Sequence, residues 1–174
     1  MFRLRNTSLI AALALALASC AGEPEPPPAQ PTFYRSLASP GAQLDAAAAA
    51  SMISGFRQNN GLGPVTVDPV LMQLAQTQAA AMAGRDKLDH ESKGAFAKRM
   101  KQSGFDPKVT VENVSAGYHT LAEAFSGWRD SPPHRAHMLQ TGVTRIGIAA
   151  VYTPNSKYKV YWALILAAPA GAKS

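Results

Sequence analysis

One cysteine stands in 174 residues. A disulfide framework within the chain is therefore excluded, and stability must come from packing. Acidic residues are also few, 11 against 17 lysines and arginines. The basic residues are scattered from Arg35 to Lys173 rather than gathered, so a solvated surface accounts for the excess and no nucleic-acid partner is expected. The apolar run at the start, Leu9 to Ala18, falls short of the about 20 residues that a membrane helix needs. Aromatic residues make up only 7%, and much of the 47% hydrophobic content is alanine, which brings little side chain to a core. A chain of this length and composition has room for one domain with a modest interior.

What is present begins with an address. A basic head (Met1 to Asn6), the apolar run and small residues ending in Cys20 have the layout of a secretory signal. Leu17-Ala18-Ser19-Cys20 resembles a bacterial lipobox, which implies that residues 1–19 are removed and that Cys20 is lipidated. Triacylation, which the resemblance implies, exceeds the two anchoring signals that stable membrane attachment needs. Loss of Arg3 and Arg5 leaves 15 basic and 11 acidic residues, a weak excess of +4. Ala21, rather than Asp, follows the cysteine, so the resemblance implies the outer membrane if the cell is Gram-negative. The expected location is the cell envelope, outside the cytoplasm. Residues 20–43 carry Pro24, Pro26, Pro27, Pro28, Pro31 and Pro40 and read as an extended spacer, at most about 60 Å long at about 3.1 Å per residue.

Residues 44–168 read as the domain and 169–174 as a tail. Asp45 precedes an alanine-rich helix with Met52, Ile53 and Phe56 at helical spacing, stopped by Asn60-Gly61. A second helix has Asp68 as cap, Pro69 in its first turn and Val70, Leu71, Leu74, Ala75, Gln78 and Met82 along its length, with Gly84 expected to close it. A third spans about 93–102, with Phe96 and Met100 inward and Gly104 at its end. Thr120 and Glu123 form a capping-box pattern ahead of Leu121, Ala124, Phe125 and Trp128. The last third alternates with period two. Ile146, Ile148 and Ala150, then Tyr158, Val160, Trp162 and Leu164 across 157–166, predict an antiparallel hairpin turning at Pro154-Asn155-Ser156. A further strand is predicted over 109–114. Helices first and strands late predict an α+β fold with helices covering a small, mainly antiparallel sheet.

Three titratable residues lie beside helix ends or in a strand: His90, Glu112 and His134. Singly, each is as well explained by the surface. Together with their surroundings they resemble the CAP superfamily (cysteine-rich secretory proteins, antigen 5 and pathogenesis-related proteins; the SCP domain) in its disulfide-free bacterial branch. The resemblance runs through Gly61-Leu62-Gly63-Pro64-Val65, His90, Phe96, Arg99, Gly104-Phe105 and Glu112-Asn113. It continues in Trp128, Ser131-Pro132, His134-Arg135, Arg145-Ile146-Gly147-Ile148 and Tyr161-Trp162. It implies a three-layer α-β-α sandwich whose central cavity is lined by His90, Glu112 and His134. It also implies a divalent metal, zinc or another cation, held by His90 and His134 with Glu112 as a further ligand or as the residue that orients water. The chemistry is consistent, since neutral imidazoles suit zinc.

This chain departs from the family's pattern in three places. Val111 stands where Gly is usual before Glu112, and Pro132 gives no counterpart of a second cavity glutamate. His137 stands where Asn is common, three residues after His134 and so on a similar helical face. Ser92, Ser115 and Ser131 lie near the key residues, but none sits in a nucleophile elbow, and Ser131 before Pro132 reads as a helix cap. Trp128 and Ser131-Pro132 are expected to fix the loop that presents His134.

Three functional readings remain open. The first is an envelope domain whose cavity binds a metal, or a small lipid, glycan or peptide ligand. The second is a metal-dependent hydrolase of an envelope polymer or protein, with Glu112 as general base. The third is a hydrogen-bonded network that only stiffens the fold.

Overall fold

The computed structural model describes residues 30–92 and 94–170. The expected signal segment, Cys20, most of the proline-rich spacer and residues 171–174 lie outside the described residues. No helix among the described residues is long and apolar enough to cross a membrane.

Among the described residues, five α-helices and four strands follow in the order α1 (Ala46–Gln58), β1 (Thr66–Val67), α2 (Pro69–Arg85), α3 (Phe96–Gln102), β2 (Pro107–Ala116), α4 (Leu121–Asp130), α5 (Pro132–Met138), β3 (Arg145–Tyr152) and β4 (Val160–Pro169). The sheet order is β1-β3-β4-β2. β1 runs parallel to β3, and the other pairs are antiparallel.

The helix starts are set locally, as their caps predict. The Asp45 carboxylate accepts from Ala48 N, and Asp68 accepts from Val70 N and Leu71 N ahead of Pro69. Thr120 and Glu123 form the full capping box. One end differs from expectation. α2 runs past Gly84 to Asp86, a non-glycine residue in the left-handed region at φ 48°. Aspartate tolerates that conformation better than most residues, and here its carboxylate accepts hydrogen bonds from Ser156 and Tyr161 of the β3–β4 hairpin. Those bonds, not a glycine, stop the helix.

β4 also departs from its expected 157–166 range and single inward parity. It begins at Val160, and every residue from Val160 to Ala168 is buried. A central strand covered on both faces reads as a continuous apolar run, so alternation carries no signal there. One face packs Ile146, Ile148, Trp162 and Leu164 against α1 and α4, with Trp128 edge-on to Trp162 at 6.1 Å between ring centres. The other packs Ala149, Tyr161, Ala163 and Ile165 against Leu71, Ala75, Met82 and Met100 of α2 and α3. These are the outer layers of an α-β-α sandwich. α2 crosses β3 so closely at Gly147 that a Cβ there would collide with the Leu71 carbonyl, which is why glycine occupies that position.

The segment before α1 is not all spacer. A short 3-10 turn at Thr32–Tyr34 is tied to Asp45 by the Thr32 hydroxyl, and Leu37 is buried with its N–H on the His119 carbonyl. These contacts tie residues 32–37 to the body of the fold. Phe33 and Leu37 supply apolar area that a free linker would leave in water.

Candidate functional site

The site is organised by two consecutive residues of β2. Glu112 pairs across the ladder with Ile165, and Asn113 with Leu164. Cross-strand partners share a face and consecutive residues take opposite faces. Glu112 therefore belongs to the α2/α3 layer and Asn113 to the layer of α1, α4 and α5. Both are buried.

On the first face, the Arg99 guanidinium clasps Glu112, with Nη2 at 3.0 and 2.7 Å from the two carboxylate oxygens. The same nitrogen reaches the His90 carbonyl at 3.1 Å, and Nε donates to the Gly94 carbonyl. His90 Nδ1 lies 3.0 Å from Glu112 Oε1. A carboxylate only accepts, so Nδ1 carries the proton in that bond. The His90 side chain is 53% exposed.

The turn presenting His90 is itself framed. Asp89 accepts from the Ser92 hydroxyl at 2.6 Å, from Glu91 N and from the Lys87 ammonium. The Ser92 bond first, then Lys87, holds the Asp89 carboxyl at about 2, below the usual 3.8. Gln78 donates to the Asp89 carbonyl and Arg85 to the Ser92 carbonyl. Ser92 thus has a structural partner in Asp89.

On the second face, Asn113 Nδ2 donates to the His134 carbonyl at 3.0 Å. That bond fixes the amide's orientation and leaves Oδ1 facing His137 Nδ1 at 2.7 Å, so His137 donates. His137 is thereby drawn into the site's frame rather than left as surface decoration. Burial, then the charges of His137 and His90, hold His134 below the usual histidine value of 6.5, so its ring is neutral at neutral pH. Ser131 is the N-cap of α5, but its hydroxyl makes no capping bond. Pro132 and Pro133 follow it and have no N–H to offer. Trp128 is fully buried one turn earlier and anchors the end of α4 that leads into this loop.

Two arginines matter that sequence reasoning left without a role. Arg99 sits three residues after Phe96, on the inward face of α3, with its guanidinium 5.1 Å from the Phe96 ring centre. Arg57 follows Ile53 by four residues on the buried face of α1 and is 1% exposed. It donates to the carbonyls of Gly63, Met138, Gln140 and Val143, and so pins the chain that leaves α5. In both cases the available signal was a charged residue at a core-facing helical position, which is costly unless it is fully bonded.

The structure therefore puts His90 in contact with Glu112, and His134 and His137 in contact with Asn113. Among the described residues, no three His, Cys, Asp or Glu side chains are gathered closely enough to encircle an ion. Glu112 is committed to Arg99 and His90.

Comparison with known proteins agrees with this architecture. Residues 50–166 match the model of the family described as CAP, cysteine-rich secretory protein family. An uncharacterised protein of Bacillus subtilis is 32% identical over 97 residues, covering 55% of this chain but only 38% of its own length. An outer surface protein of Borrelia burgdorferi shares the fold at 18% identity with a TM-score of 0.65, over 75% of this chain and 99% of its own. An extracellular SCP-domain protein of Bacillus anthracis does so at 18% identity with a TM-score of 0.61, over 70% of this chain and 39% of its own. The α-β-α sandwich and the family match over most of the domain lead to one conclusion: this chain belongs to the CAP family.

Proposed function

We propose that this chain is an extracytoplasmic CAP domain that binds a divalent transition-metal ion, zinc or a similar cation, between His90 and His134. The reading rests above all on the His90–Glu112 bond. A metal-binding imidazole characteristically donates its other N–H to a carboxylate, which fixes the tautomer and aims the lone pair. His134, kept neutral by burial, offers a second ring without the need to lose a proton first. Solvent or an envelope ligand, such as a lipid, glycan or peptide, completes the shell. The ion would supply a Lewis-acid centre when bound. Glu112 acts as the residue that orients His90. A general base at that position would have to give up Arg99, which weighs against the hydrolytic reading.

Calorimetric titration of the purified protein with zinc tests the site. Binding is expected for the native chain, with a loss of about tenfold or more in affinity for His90→Ala and for His134→Ala. Unchanged affinity in both variants would remove the metal site and leave a network that only stiffens the fold.

Tethering through Cys20 belongs to the same proposal, supported by the lipobox-like residues and by relatives described as extracellular or outer-surface proteins. In fractionated bacteria the native chain should sediment with membranes, and Cys20→Ser should move it to the soluble fraction. Co-sedimentation of both forms would reject the tether.

A further inference from the structure

The chain meets the body of the fold at the 3-10 turn Thr32–Tyr34, where Gln30 Nε2 lies 3.5 Å from the Tyr34 carbonyl. Ten peptide steps separate that glutamine from Cys20. The two can therefore be no more than about 36 Å apart at about 3.6 Å per step, whatever path the chain takes. Because residues 32–37 are tied into the fold, the tether is much shorter than the whole of 20–43. A lipid on Cys20 would hold this turn close to the bilayer.

The same turn carries apolar surface. Tyr34 is the most exposed large apolar side chain among the described residues, at 53%. Its ring centre lies 4.6 Å from that of Phe33. Phe33 in turn lines an open groove of about 560 Å³ with Pro31, Thr32, Ala48, Ser51 and Met52, and no charged residue among those described lines it. The nearby Asp45 carboxylate is already engaged by the Thr32 hydroxyl and the Ala48 N–H. Arg35, exposed at the end of the turn, adds a positive charge.

A single exposed tyrosine is ordinary on a protein surface. Here it stands with a second aromatic ring, an uncharged groove and a cation at the point where the tether enters. Tyrosine pairs an apolar ring with a polar hydroxyl and suits the boundary between headgroups and acyl chains, while arginine suits anionic headgroups. The tether makes the contact intramolecular, so a patch too weak to bind a free vesicle can stay engaged. We infer that this face, Tyr34 and Arg35 with the groove beside Phe33 and Met52, docks on the bilayer to which Cys20 is tethered. The inference rests on the proposed Cys20 tether. Leu88, which follows α2 in the opposite helical layer, stays in water.

The chain from Cys20 onward keeps every described residue, and Cys20 is its one thiol. Coupling that thiol to a maleimide phospholipid in phosphatidylcholine and phosphatidylglycerol vesicles supplies the tether whether or not cells lipidate the protein. This measurement and the fractionation of Cys20→Ser can therefore fail independently. Tyr34→Trp places a fluorophore in the patch, and Leu88→Trp places one at an exposed site away from it, while Trp128 and Trp162 are fully buried. Brominated lipids are expected to quench the added emission of Tyr34→Trp several-fold more than that of Leu88→Trp. Ser51→Glu, at an exposed helical position lining the groove, should shrink that difference. Equal quenching at both sites, or none in Tyr34→Trp, overturns the inference. Quenching that appears only at high protein density on the vesicle would assign the patch to a second copy of the chain, and overturns it as well.

Discussion

On one side of β2, Glu112 grips the His90 turn through a carboxylate shared with Arg99; on the other, Asn113 grips α5 through an uncharged amide. Both residues are buried and both fix a histidine tautomer, but their partners fail differently. Removing one member of a buried ion pair strands a charge in low dielectric, whereas removing a neutral amide strands only hydrogen-bonding groups. The two halves of the site should therefore differ in how sharply they respond to substitution and to pH.

Chemical denaturation of matched variants exposes the contrast. Arg99→Met leaves Glu112 buried with only its His90 bond among the described residues and is expected to cost about 3–5 kcal/mol, with much of the loss recovered in the double variant Arg99→Met/Glu112→Leu. Asn113→Leu should cost about 1–3 kcal/mol, from the orphaned His134 carbonyl and His137 ring. Equal losses for the two single variants would erase the distinction between ionic and neutral anchoring.

The smaller effect lies in pH. His134 has a folded-state value below 6.5, so its contribution to stability is fully present above about 6.5 and is lost as pH falls through the folded value. A modest decline in melting temperature on moving from pH 7 into the acid range is expected. It should flatten in His134→Gln, and an unchanged slope in that variant would assign the decline to other groups.

The parts of the fold legible in the sequence were those decided within one turn of chain. The caps at Asp45, Asp68 and Thr120, and the hairpin between β3 and β4, follow from neighbouring residues. What was missed depends on distant partners. The end of α2 is set by Ser156 and Tyr161, 70 and 75 residues away, so Gly84 gave a false stop. β4 lost its alternation because helices cover both faces, and the two-residue β1 is too short to carry any pattern.

The site followed the same division. His90, Glu112 and His134 each stand alone in sequence, and only the family resemblance grouped them. Arg99 and Arg57 looked like ordinary helix cations. Their positions on apolar helix faces were visible, but their carbonyl and carboxylate partners were not.

Arg57 carries a consequence for how the site accommodates change. With four carbonyl oxygens from two stretches of chain, Gly63 and residues 138–143, converging on one guanidinium, the C-terminal end of α5 is tied to α1. A lysine has only three donors on a single nitrogen and could not reproduce that fan of contacts. The placement of α5, and of the His134 it carries, is thus set from inside the fold rather than from its surface.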